Sequence, residues 1–145
     1  MAAVEGQLEE AEVRAFVMDL PFVREFSISI VEVSAGKVVI ELPFDERVSG
    51  PATFFPASMV GTAGDVAAVA SCLSLLPQGW ALATIDFTIK ITGLAKGEKL
   101  RAKGRVLQNG QTNSVGAADI YAVSGDGQRL CGTLLATTRN FKVKQ

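Results

Sequence analysis

One carboxylate stands apart in this sequence. Between Val48 and Ile85 the only formally charged side chain is Asp65. It sits in ASMVGTAGDVAAVASCLSLL, residues 57–76, a run that is apolar nearly all round and rich in small side chains. Such a run predicts a helix buried on most sides. A carboxylate on that helix is costly unless it is paired, neutralised or used. If used, it would be a general base or a nucleophile with a raised pKa. If not, it would be bonded to backbone or to a partner chain. Gly61, Gly64 and Ala68 leave room beside it for a strand or a ligand. The start of the same helix is a second feature. The first amides of a helix have no partner within it, so those near Ala57 and Ser58 could polarise a carbonyl as an oxyanion hole does. Asp65 lies seven or eight residues further on, roughly 11–12 Å along the axis. One carbonyl does not easily touch both within one chain. If both act, the helix start of one chain meets Asp65 of another, and the expected assembly is a dimer with two equivalent interface sites.

The absence of histidine excludes much else. No Ser-His-Asp or Cys-His arrangement can be built within the chain. Ser58 and Ser71 therefore lack an evident base. His-rich zinc sites are excluded, and two distant cysteines, Cys72 and Cys131, make no zinc site. Both cysteines lie in apolar runs and read as buried, reduced thiols. No metal and no resident cofactor is expected.

Residues 98–109 carry Arg101, Lys103 and Arg105 on alternate positions, hence on one face of a strand. That row is either a solvated sheet face or a surface for the phosphates of a ligand such as coenzyme A. The net charge of −1 conceals an asymmetry: residues 1–65 hold eleven acidic and four basic side chains, residues 66–145 four acidic and ten basic. A basic half with few aromatics is weak evidence for nucleic-acid binding, and no nucleic-acid partner is expected.

The elements that must position these groups follow from periodicity. Residues 7–20 have the apolar spacing of an amphipathic helix, ended by Pro21. Residues 26–33 and 37–42 read as a hairpin turning at Gly36, and 43–56 as a loop with three prolines and Gly50. The helix 57–76 follows, with Ser58 as a plausible cap. Residues 81–91, 98–109, 113–123 and 129–141 alternate as strands and read as a four-strand antiparallel meander. Trp80 and Phe87 are expected in the core. The plan is α+β, with one antiparallel sheet wrapped around one long central helix. At 145 residues, 48% hydrophobic and 20% charged, the chain fits a single domain over 1–145. Its N-terminal helical segment is 1–20 and its core 21–141. No apolar run suits a membrane span, and the acidic first ten residues do not suit a targeting segment; the expected location is cytoplasmic.

Over roughly residues 20–141 this layout resembles the hotdog-fold acyl-CoA thioesterases of the phenylacetic-acid-degradation, PaaI-like group. The resemblance is carried by Pro21–Phe22, the hairpin ending in ELP at 41–43, the helix with Asp65, TIDFTIKI at 84–91, GEKLRAKGRVLQNG at 97–110 and the closing strand near 130–141. In that family a His-Gly-Gly turn opens the central helix and an acidic residue follows nine positions after the His. Here Pro56-Ala57-Ser58 occupies the turn, and Asp65 is nine after Pro56. The resemblance implies that Asp65 activates water or attacks a thioester carbonyl whose oxygen is held by the Ala57 amide of a neighbouring subunit. Pro56, Ala57 and Ser58 would shape that turn, with substrate contacts at Gly61 and at Val69, where the family often has a hydroxyl. Asn109 and Gly110 fall where the family has a more basic segment near coenzyme A, and Arg101, Lys103 and Arg105 precede them. The expected activity is acyl-CoA thioester hydrolysis by a homodimer or homotetramer, coenzyme A entering as part of the substrate. The alternative is a non-catalytic hotdog protein that binds acyl-CoA or a protein partner.

Overall fold

The computed structural model describes residues 6–49 and 53–144. Gly50 and Pro51 of the predicted loop 43–56 lie outside the described residues. The chain runs α1 (Glu10–Met18), α2 (Pro21–Glu25), β1 (Ser29–Ser34), β2 (Lys37–Pro43), a short 3₁₀ turn, α3 (Ala57–Leu73), β3 (Trp80–Ile91), β4 (Lys99–Asn109), β5 (Asn113–Ser124) and β6 (Gly127–Lys142). All six strands form one antiparallel sheet around α3, which is the expected hotdog architecture. Pro21 does end the first helical segment, but it also opens α2 as a first-turn residue, where a missing N–H costs nothing. Phe26 and Ser27 belong to the end of α2, so β1 begins at Ser29 rather than at 26.

The sheet order is β1-β2-β4-β5-β6-β3. The four later strands are therefore not one meander. Only β4, β5 and β6 are consecutive neighbours; β3 pairs with β6 from Trp80↔Lys142 to Ile91↔Gly132. Alternation reports which face a residue occupies and carries no information on which strand lies beside it. The link from β3 to β4 crosses two strands, a span of roughly 14 Å. It is held to the strand ends it passes, by Thr92 N–H to Cys131 O (2.9 Å) and Glu98 N–H to Val123 O (2.8 Å).

Helix α3 lies close to the middle of the sheet because glycines face it. A Cβ on Gly104 of β4 would fall on the Ala67 carbonyl, and one on Gly116 of β5 would stand 2.7 Å from the Ala68 carbonyl. From the helix side, a Cβ on Gly64 would come within 2.9 Å of Ile120. The room expected beside Gly61 and Gly64 is thus taken by strands, by Phe87 at Gly61 and by Ile120 and Leu134 at Gly64. Polar groups at this contact are satisfied: Val38 N–H donates to Ser71 Oγ at 3.0 Å, and that hydroxyl donates to the Ala67 carbonyl at 2.7 Å. The main core joins α3 to the inward residues of β2, β4, β5 and β6, including Ile40, Leu100, Ile120 and Leu134. A second cluster of Val13, Cys72, Leu73, Leu76 and Leu82 fixes α1 over the C-terminal half of α3. Cys72 and Cys131 are buried and unbridged, as expected. Burial pushes the Cys72 thiol up to about 11.

Replacing Gly104 by Ala puts a methyl onto backbone that has no room to retreat. Gly104→Ala is expected to lower stability by about 3 kcal/mol, the upper end for overpacking, measured by urea denaturation.

Candidate active site

Asp65 sits in mid-α3, half-buried, and its Oδ1 accepts a hydrogen bond from the Thr84 hydroxyl of β3 at 3.0 Å. No ion pair to it occurs among the described residues. Burial raises its pKa above the ordinary aspartate value, with the Thr84 bond opposing that shift. A carboxylate with a raised pKa and no cation is poised to take a proton. Asp65 opens on a cavity of about 280 Å³ whose remaining lining is apolar apart from Thr84. The helix supplies Val66, Val69 and Leu73 to that cavity, while Phe16 of α1, Phe22 of α2 and Leu20 between them roof it. Sequence reasoning missed two things here. Thr84 had no role beyond membership of a strand, and the N-terminal aromatics read as an ordinary apolar helix face.

The helix start differs from expectation in detail. Pro56 is the N-cap, with no side-chain capping bond, so Ser58 is not the cap. Its position two residues into the helix is past the point from which a hydroxyl reaches back to the first amides. Ser58 O instead accepts a bond from Thr62 Oγ1 at 2.9 Å. Met59 and Val60 N–H both donate to Pro56 O. Among the described residues nothing accepts from the Ala57 and Ser58 amides, and both residues are exposed. Those donors and Asp65 stand roughly 12 Å apart along the helix, so one protomer does not bring them together.

Gly61 lies one turn before Asp65 and faces Phe87, whose ring would be 3.4 Å from a Cβ there. Phe87 was expected in the core. It points to the helix side of the sheet, but β3 is an edge strand, so 43% of it stays exposed. Trp80 does pack, partly buried, against the second cluster. Asn109 and Gly110 are at the β4–β5 turn, beside Leu76 and Trp80 at the far end of α3, away from Asp65. Arg101, Lys103 and Arg105 occupy the sheet face opposite α3, since Ala102 and Gly104 between them point at the helix. Arg101 pairs with Glu41 at 2.7 Å, Arg105 with Asp119 at 3.2 Å, and Lys103 stands over the Tyr121 ring at 4.9 Å. Among the described residues no three His, Cys, Asp or Glu side chains converge as a metal site, and no helix is long and apolar enough to cross a membrane.

This architecture has solved counterparts. A thioesterase family protein from Silicibacter pomeroyi matches with a TM-score of 0.86 at 25% identity, over 90% of this chain and 96% of that one. A thioesterase from Haemophilus influenzae matches at 0.81 with 14% identity, over 95% and 94% of the two chains. A variant of a thioesterase enzyme from Staphylococcus aureus matches at 0.74 with 18% identity, over 82% and 97%. No protein-family model matches the chain, and no curated protein matches it in sequence. The fold is the hotdog fold that these thioesterases share.

The raised pKa of Asp65 has a thermodynamic consequence. Between the ordinary value of 3.8 and the higher folded value, the native state holds the Asp65 proton and the unfolded chain has lost it. Stability contributed by this group therefore falls as pH rises through that window, and the full cost is present above it. Asp65→Asn is expected to melt at a higher temperature than the wild type at pH 7, the difference shrinking as pH is lowered toward 3.8. Paired thermal melts across that range check it; a variant that melts lower at pH 7 contradicts it.

Proposed function

We propose that this chain hydrolyses an acyl-CoA thioester at a site shared by two copies, with Asp65 as general base or nucleophile. The observation that carries the reading is a half-buried carboxylate with a raised pKa and no cation, at an apolar cavity, on a fold shared with thioesterases. In the general-base form, Asp65 takes a proton from water as the water oxygen attacks the carbonyl carbon. The carbonyl oxygen gains the negative charge and accepts from the Ala57 and Ser58 amides of the second copy. Collapse breaks the carbon–sulfur bond, and the departing thiolate takes the proton held by Asp65, releasing the acid and the coenzyme A thiol. In the nucleophile form, the Asp65 carboxylate attacks the carbonyl carbon, the carbon–sulfur bond breaks to expel coenzyme A thiolate, and water then cleaves the mixed anhydride to the acid and free Asp65. The acidic residue nine positions after the turn supports the PaaI-like relationship.

The second copy is required by the roughly 12 Å between Asp65 and its own helix start. The free edge of β3 supports where it docks. β3 is twelve residues long, contains no proline, is bonded among the described strands to β6 alone, and exposes Ile85 (56%), Phe87 (43%) and Ile91 (48%). A long, apolar, unpaired edge is a template for pairing with another chain. Pairing two β3 edges brings the second copy to the strand that carries Thr84. The location proposed for this activity is the cytoplasm.

The Pro56-Ala57-Ser58 turn favours a second reading, a non-catalytic acyl-CoA binder, because side chains at 57 and 58 narrow the approach to the free amides.

A panel of acyl-CoA esters, followed by release of free thiol, tests the activity. Wild type is expected to turn over at least one ester, with kcat at least a hundredfold lower in Asp65→Asn. Equal turnover in both proteins removes the role given to Asp65, and tight binding without turnover selects the second reading. Ile85→Lys is expected to give a monomer by sedimentation equilibrium and to lose most of the activity with Asp65 intact; an active monomer contradicts the two-copy site.

A further inference from the structure

The cavity beside Asp65 is graded from open to closed. At one end Asp65 meets Thr84, and Thr84 and Ala83 are exposed, as is 38% of Phe22. At the other end Leu73, Val17 and Leu82 are 1%, 3% and 5% exposed. Leu73 follows Asp65 by eight residues, so the cavity runs roughly 12 Å along α3. It is a blind slot with its one carboxylate at the mouth. At about 280 Å³ it falls just under the roughly 300–1,000 Å³ of pockets that hold whole drug-sized ligands. One tail fits; a coenzyme A ester does not.

The lining decides what kind of tail. Beyond Thr84 no residue of the slot offers a side-chain donor or acceptor. A hydroxyl or carboxylate at the far end of a tail would lose its water and find no side-chain partner, which is costly. A hydrocarbon loses nothing and gains from each buried methylene. The roof is also informative. Phe16 comes from α1, Phe22 from α2 and Leu20 from the cap between them, so the N-terminal helices are a wall of the slot and not an appendage to the sheet.

We infer that this slot receives the unsubstituted hydrocarbon tail of a medium-length acyl group, its carbonyl at Asp65, and that Leu73 with Val17 and Leu82 sets the upper length. The inference rests on the proposed thioester reading for the carbonyl, but not on turnover. Val69, half-buried one turn after Asp65 on the slot's side, is then a specificity-determining residue: a larger side chain there narrows the slot just inside its mouth. Leu73→Ala deepens it.

Binding to Asp65→Asn, read by isothermal titration calorimetry, separates this inference from catalysis. The probes are acetyl-, octanoyl- and palmitoyl-CoA, and suberyl-CoA, which carries a terminal carboxylate on a tail of octanoyl length. Octanoyl-CoA is expected to bind at least tenfold more tightly than acetyl-CoA, and palmitoyl-CoA and suberyl-CoA more weakly than octanoyl-CoA. Adding Val69→Phe should cost octanoyl-CoA at least tenfold more than it costs acetyl-CoA. Adding Leu73→Ala should move the optimum to longer tails. Leu73 is in the core, so circular dichroism accompanies each variant; Val69→Phe alone suffices if Leu73→Ala does not fold. Affinity that ignores tail length, suberyl-CoA binding as tightly as octanoyl-CoA, or indifference to Val69→Phe overturns the inference. Length-dependent binding in Asp65→Asn beside a wild type that hydrolyses none of these esters leaves the slot standing and overturns the catalytic reading.

Discussion

The contact on which the rest depends is the backbone-level approach of α3 to β4 and β5. With Gly104 under Ala67 and Gly116 under Ala68, the helix rests on the sheet without intervening side chains on those lines. The sheet must curl to reach the remaining sides of so close a helix, and its inward residues on β2 and β6 do so through Ile40 and Leu134. A helix seated this deeply leaves one flank uncovered by the central strands. That flank carries Asp65, Val69 and Leu73, and it is closed by α1, α2 and the start of β3. The slot is therefore a by-product of the packing: the residues that meet across it come from elements brought together by the second cluster, around Leu73 and Leu82.

The place of β3 at the sheet edge does two jobs at once. Its first half carries Thr84 to Asp65, while its outer edge has no strand beside it. Had the chain formed the simple meander, β3 would lie beside β4 in the interior of the sheet and its edge would be spent on internal pairing. The crossover of residues 92–98 releases that edge. A register shift falls between Thr84 and Asp86, and Ile85 within it is exposed just beyond the Thr84–Asp65 bond. The geometry that sets Thr84 against Asp65 also leaves apolar surface at the edge where the proposed second copy would dock.

The helix, every strand and the Asp65 position were legible because each rests on a local signal: periodicity, a turn residue, an isolated charge. What was not legible depends on neighbours. Alternation in residues 81–91 gave a strand but not its place, so Phe87 was assigned to the core when it faces inward at an unpaired edge. Thr84 was one threonine among several until the strand was laid against α3. Phe16, Leu20 and Phe22 had the pattern of a core-facing helix, and a wall of a cavity has the same pattern as a wall of a core. Ser58 was assigned a cap because serine favours that position, but the cap falls two residues earlier, on a proline whose fixed φ suits the boundary.

The charge asymmetry between the two halves of the sequence is resolved in the sheet. Glu41 of β2, from the acidic half, meets Lys99 and Arg101 of β4, from the basic half, at 3.1 and 2.7 Å. Arg105 finds Asp119 across β4 and β5. These pairs form because β2, β4 and β5 are neighbours and their alternate residues share the outer face. Asp65 is on the other side of that sheet, on a helix whose neighbours must be glycine, alanine and valine for it to fit. The same close packing that excludes bulky side chains also keeps cations away, so the one carboxylate on α3 has a hydroxyl for a partner and an apolar slot beside it. A structural role would be served as well by asparagine, which can accept the same Thr84 bond without the burial cost. Packing does not call for a charge there, at the mouth of a cavity, and the proposed chemistry on a carbonyl rests on that charge.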